Sequence, residues 1–165
     1  MLRRCTPRLA TFDYLGFHRY SLTCCTFHRR RLFESHEVVR AVLTNIAETA
    51  EQERFGILAY CFMPDHVHLL ASGQDGSCRA LAFIARAKQV SGYWYRRAHH
   101  QPLWQRSARD RVLRSDEDTL AVTRYILANP VRAGLVERPL DYPFSGSLTL
   151  DRSELEATLF DCGKD

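Results

Sequence analysis

No apolar run in this chain approaches the roughly 20 residues that a membrane-spanning helix requires, so a helical anchor has no part in the expected function. The N-terminal stretch MLRRCTPRLATFDY is basic and lacks the apolar segment of a secretory signal, which makes the cytoplasm the expected location. CxxC pairs are missing from its six cysteines. Cys24 and Cys25 are adjacent, Cys61 lies in an apolar strand-like run, and Cys5 and Cys162 sit near the ends. That placing argues against a disulfide framework and for reduced thiols. Repeats, low-complexity tracts and interdomain linkers are absent too, so residues 1–165 read as a single domain with room for a real core.

The charge that is present is uneven. The formal net charge is only +4, yet Arg86, Lys88, Arg96, Arg97, Arg106, Arg109, Arg111 and Arg114 face a single nearby acid, Asp110. From Asp151 onward acids predominate. A basic middle attracts a polyanion, although a solvated basic face accounts for the same residues.

Strand and helix periods alternate along the chain. HRYSLTCCTF, from His18 to Phe27, is rich in Thr, Tyr and Phe and predicts a strand. Val38, Val42 and Ile46 recur every four residues, with Val39 and Leu43 beside them, which predicts a helix to about Arg54. FGILAYCF and HVHLLA form a predicted hairpin around Met63-Pro64-Asp65-His66. A second helix is expected from about Ser77 to Arg97, then two short strands at PLWQ and RVLR. Ser115 is a predicted N-cap with acids behind it, opening a third helix to Asn129, where Pro130 stops or restarts it. The order is β-α-β-β-α-β plus a helix. It predicts an α+β, ferredoxin-like split βαβ palm: a central antiparallel sheet, helices on one face, and an extra helix.

Two stretches carry chemistry. In YCFMPDHVHLL, His66 and His68 stand two apart on a strand and leave the same face, roughly 6.5–7 Å apart at the backbone. Two imidazoles at that spacing can converge on one cation while Val67 and Leu69 pack on the other side. Half-exposed histidines capping a sheet are the plainer account of the pair taken alone. In TRYILANPVRAGLV, Tyr125 and Asn129 are one helical turn apart on one face, a phenol and a carboxamide suited to a nucleophile and an oxygen ligand. Taken alone, a half-buried Tyr125 and an Asn129 capping a short helix after Pro130 are the simpler reading.

The order of these motifs resembles the REP-associated tyrosine transposases, members of the HUH single-strand nuclease superfamily. YCFMPDHVHLL, a basic helix, PLWQ and RYILANPVRAGLV carry the resemblance, joined by FDYLGFHRYSLTCCTFHRRRLF before them and DYPFSGS after. It spans about residues 12–147, leaving 148–165 as an acidic tail, and RSARDR lacks the aromatics expected of the family at that point. It implies a ferredoxin-like palm in which His66 and His68 bind a metal, Asn129 completes the metal site and Tyr125 is the nucleophile. It further implies Mg²⁺ or Mn²⁺ as cofactor and a single-stranded DNA substrate cut beside a REP-like hairpin through a 5′-phosphotyrosine. The expected location is then cytoplasmic and nucleoid-associated. A monomer is slightly favoured over a dimer that exchanges its tyrosine helices.

By ligand type the mixed N/O site also accepts Zn²⁺. Arg96 and Arg97 in GYWYRRAHH are expected DNA contacts, with Lys88 two turns earlier as a further backbone contact or a solvated lysine. Of Tyr93, Trp94 and Tyr95, at least one should be core. Arg29, Arg30 and Arg31 form a second basic cluster. Two other functions fit the residues: a hairpin-binding protein derived from a transposase that no longer cuts, and a zinc hydrolase of small phosphoesters indifferent to Tyr125→Phe.

Overall fold

The computed structural model describes residues 14–113 and 116–160, so Cys5, Cys162 and the expected cap Ser115 lie outside the described residues. Its elements follow the expected order: β1 (Arg19–Thr26), α1 (His36–Gln52), β2 (Phe55–Met63), β3 (His66–Gly73), α2 (Ala80–His99), β4 (Trp104–Leu113), α3 (Asp116–Arg132), β5 (Ser145–Gly146) and α4 (Arg152–Phe160). The sheet order is β4-β1-β3-β2-β5 and every neighbouring pair is antiparallel. The four strands β4-β1-β3-β2 have the split βαβ arrangement that the periodicities predict.

Strand parity decides what each face does. Along β1 the even residues Tyr20, Leu22, Cys24 and Thr26 are buried and the odd ones half-buried. Leu22, Cys24, Val67 and Leu69 face Ile46 of α1 and Phe83, Ile84 and Ala87 of α2 across one small apolar gap. This is the main core, closed by Phe33, Phe62 and Phe83. His66, His68 and Leu70 point the other way, and α3 packs there against β2 and β3. β2 is therefore buried on both sides, which explains its nearly continuous apolar sequence FGILAYCFM.

Two expectations need correction. Instead of two short strands at PLWQ and RVLR there is one ten-residue strand, from Trp104 to Leu113. QRSARDR continues it despite its polarity, because β1 pairs with it from Leu113 back to Trp104 with one irregularity between Cys24 and Thr26. Backbone pairing outweighs the weak strand preference of those residues. The second helix begins at Ala80 rather than Ser77, since Ser77 is drawn into a turn, its N–H and hydroxyl both donating to Asp75 Oδ1.

The C-terminal segment seals the far edge. Phe62 donates its N–H to Phe144 O at 2.8 Å, and the Tyr142 hydroxyl donates to Phe62 O at 2.9 Å. β5 pairs Gly146 with Tyr60, where a Cβ would come within 2.9 Å of the Tyr60 hydroxyl and force that ring to shift. α4 docks on α3, with Leu155 buried and Arg124 Nε donating to Thr158 O at 2.7 Å. Among the described residues Cys24, Cys25, Cys61 and Cys78 are free thiols, as expected, and no helix is long and apolar enough to cross a membrane. Burial pushes the Cys24 thiol up to about 11 and the Cys61 thiol up to about 12.

Tyr142→Phe removes the donor to a buried carbonyl and should cost about 1–3 kcal/mol. The expected result is a fall of several degrees in the thermal unfolding midpoint measured by circular dichroism. An unchanged midpoint would show that this edge contact contributes nothing.

Candidate active site

The sheet register builds one half of the site. His68 is paired with Thr23 on β1 and Cys61 on β2, and His66 with Cys25 and Met63. His66 and His68 approach through their Nε2 atoms, 3.0 Å apart, with the rings edge to face. Their other nitrogens are occupied. Asp65 Oδ1 lies 2.6 Å from His66 Nδ1, and Thr23 Oγ1 lies 3.0 Å from His68 Nδ1. Arg29 Nε holds the second Asp65 oxygen at 2.7 Å.

These partners order the protons. A carboxylate only accepts, so His66 carries its proton on Nδ1 and keeps an Nε2 lone pair. In the metal-free protein that lone pair accepts from His68 Nε2–H, and Thr23 donates to His68 Nδ1. If a cation takes both Nε2 lone pairs, His68 must move its proton to Nδ1. Thr23 tolerates either state, because a hydroxyl both donates and accepts. Burial lowers both imidazoles from their ordinary pKa, opposed at His66 by Asp65 and helped by the Arg29 charge. His68 is brought down to about 4, by burial first and then by its neighbour His66 and by Arg29. Both rings are thus neutral near pH 7, the state in which imidazole binds metals.

The other half stands on α3. Tyr125 lies edge-on to His68, with ring centroids 6.3 Å apart, and remains 49% exposed. The helix does not stop or restart at Pro130 but runs through it to Arg132, which corrects the expected boundary. Proline removes the N–H that would serve Ile126 O. Asn129 Nδ2 stands in, at 3.3 Å from Ile126 O and 2.9 Å from Tyr125 O. Carbonyls can only accept, so it is the amide nitrogen that meets them and the oxygen that stays unused by the helix, one turn beyond Tyr125. The helix ends in a Schellman motif, with Gly134 at φ +70°, its N–H on Val131 O at 2.9 Å, and Leu135 N–H on Pro130 O at 2.9 Å.

This donor set suits a divalent cation. Two ligands at about 2.1 Å on adjacent vertices of an octahedron are about 3.0 Å apart, matching the Nε2 pair. Among the described residues no group of three His, Cys, Asp or Glu side chains could hold a metal, so a third protein donor has to come from another residue type. The Asn129 amide oxygen is of the right chemical kind.

Of the expected DNA contacts, Arg96 and Arg97 are exposed at the end of α2, and the Arg97 guanidinium lies over the ring of Tyr93, 6.0 Å from its centroid. Tyr95 is the core member of the aromatic trio, Trp94 is half-buried, and Tyr93 is 63% exposed. Lys88 lies on the opposite side of the sheet from His66 and His68, its Nζ donating to Gln105 O at 2.6 Å and Arg106 O at 3.4 Å, which fastens β4 to α2. Arg30 bonds Gln101 and Pro102 O, and Arg31 pairs with Glu34, so of that cluster Arg29 alone reaches the histidine pair, through Asp65.

The model of the family described as "Transposase IS200 like" matches residues 17–128, which include His66, His68 and Tyr125. The chain belongs to the IS200-like transposase family. Within it, the resemblance to REP-associated tyrosine transposases is borne out by a Haemophilus influenzae protein provisionally given that name, 29% identical over 109 residues. The match covers 59% of this chain, and the chain spans only 62% of that relative's length. The fold matches a REP-associated tyrosine transposase solved with a REP hairpin, with a TM-score of 0.71, 20% identity, and coverage of 85% of this chain and 82% of that one. A Deinococcus radiodurans protein provisionally described as a transposase matches with a TM-score of 0.52 and 22% identity, covering 73% of this chain and 95% of that one.

Sequence reasoning overlooks Thr23 and reads Asp65 only as a turn residue. Asp65 precedes His66 directly, a signal that was open to reading; Thr23 is 45 residues from His68 and becomes its neighbour only through strand register.

Asp65→Ala should free His66 to place its proton on either nitrogen. Nitrogen-15 NMR of the metal-free protein is expected to show an Nδ1–H His66 in the wild type and a mixture in the variant, and Mn²⁺ affinity should fall about 10- to 100-fold. An unaltered tautomer with unaltered affinity would show that Asp65 merely closes the turn.

Proposed function

We propose that this protein is a metal-dependent single-stranded DNA nuclease and strand transferase that cuts beside a hairpin and holds the product on Tyr125. The observation that carries the reading is the half-exposed Tyr125 ring set edge-on to His68 at 6.3 Å. A phenol sealed in the core could not reach a nucleic acid, and one on another face would have no chemistry beside it.

His66, His68 and Asn129 are the residues that would hold Mg²⁺ or Mn²⁺. When bound, the ion polarises the scissile phosphate and offsets charge on its oxygens. The Tyr125 oxygen attacks phosphorus in line, forming a Tyr O–P bond as the P–O3′ bond breaks. The phenol proton passes to water and the departing 3′-oxygen gains a proton from water. The product is a 5′-phosphotyrosine with a free 3′-hydroxyl, and attack by a later 3′-hydroxyl reverses the step without ATP. The phosphodiester is conserved throughout, which suits a reaction that moves or rejoins strands.

A REP-like hairpin is the partner we carry over from the solved relative, whose structure contains one. Arg96, Arg97 and the exposed Tyr93 give phosphate and base-stacking partners on the α2 end. Tyr125 meets His68 of its own chain, which supports a site that one copy completes.

Incubation with Mn²⁺ and end-labelled hairpin oligonucleotides should give a protein–DNA adduct that survives a denaturing gel. Tyr125→Phe is expected to abolish the adduct while DNA binding persists, and His66→Ala to weaken Mn²⁺ binding and cleavage together. An adduct formed by Tyr125→Phe would move the nucleophile elsewhere. Binding with no adduct across many hairpin sequences would leave a hairpin-binding protein that does not cut.

A further inference from the structure

The charge beside the histidine pair is matched, Arg29 being paired with Asp65 at 2.7 Å. The exception is Arg132. It stands two turns after Tyr125, its Cζ is 4.8 Å from the centre of the Tyr125 ring, and it is exposed. Among the described residues the Tyr125 ring is its only close partner. An arginine in the last turn of a helix already complements the helix dipole, and that role is met with the side chain in water. Here it leans back along the helix over the phenol, as side chains on helices are directed. The continuous helix through Pro130 and the Schellman end at Gly134 fix the turn that carries it.

We propose that Arg132 is a further catalytic residue, whose guanidinium binds the scissile phosphate as Tyr125 attacks it. This rests on the cleavage reading above. With Cζ over the ring, the guanidinium would keep N–H groups of its fork for a phosphate brought to the Tyr125 hydroxyl. The fork matches two phosphate oxygens, and its charge favours the extra negative charge that gathers there as the Tyr O–P bond forms and the P–O3′ bond breaks. No proton moves through it, since arginine stays charged.

The test separates this contact from the cleavage reading by measuring binding without metal. With EDTA present, affinity for a fluorescein-labelled oligothymidylate is followed against salt. Arg132→Gln should flatten the slope of log affinity on log salt by about 0.7, the value for one phosphate contact on a single strand. Arg132→Lys should keep most of the slope. With Mn²⁺ and a hairpin substrate that wild type cleaves, Arg132→Gln should slow adduct formation on the order of 100-fold. Arg132→Lys should restore part of the rate, because it keeps the charge and loses the fork. Arg138→Gln, which only breaks a pair with Asp141, serves as the control, and thermal melts confirm folding. A wild-type salt slope in Arg132→Gln overturns the proposal whatever the rate, and leaves Arg132 a packing partner of the ring. A flattened slope in a protein whose wild type forms no adduct would overturn the cleavage reading and leave Arg132 a phosphate contact.

Discussion

The site depends on how the outer nitrogens of two histidines are occupied. Asp65 and Thr23 engage the Nδ1 atoms, which leaves two Nε2 atoms facing one another at 3.0 Å. Burial lowers the pKa of both rings and favours their neutral forms. The sheet supplies this geometry because two-residue parity sends Val67 and Leu69 into the core beneath α1 and α2 while His66 and His68 emerge opposite. Any shift of β3 by one residue would exchange the two sets and remove both site and core together.

α3 brings the second component, and its own continuity depends on a local repair. Pro130 removes a hydrogen bond at the turn where the functional face must continue, and the Asn129 amide nitrogen covers the exposed carbonyls. The repair commits the amide nitrogen to the helix and leaves the oxygen out of it. A structural role for Asn129 therefore does not compete with the proposed one: the amide nitrogen serves the helix, and the oxygen is not used there. The same continuity carries Arg132 to a position over Tyr125, which a helix broken at Asn129 would not do.

Much of this was legible in the residues. Four-residue spacing of Val38, Val42 and Ile46 marked α1, and the HVH parity marked which face bears the histidines. Tyr125 and Asn129 were readable as one stripe because helical geometry is local. What escaped reading was either distant or compensated. Thr23 meets His68 through register alone, and no local pattern reports it. Pro130 reads as a helix stop unless the preceding asparagine is recognised as the substitute donor. QRSARDR looks too polar for a strand, yet β1 holds it in a continuous ladder. Lys88 reads as a surface cation on charge alone, whereas the fold uses its ammonium to bind β4 carbonyls.

The central claim is that one cation can sit between the imidazoles with the Tyr125 hydroxyl beside it in the same cleft. Crystals grown with Mn²⁺ and measured at the manganese absorption edge test it directly. The account predicts one strong anomalous peak within bonding distance of His66 Nε2, His68 Nε2 and Asn129 Oδ1, with Tyr125 facing it. A peak confined to other residues, or intact Nε2-to-Nε2 contact at saturating Mn²⁺, would contradict it.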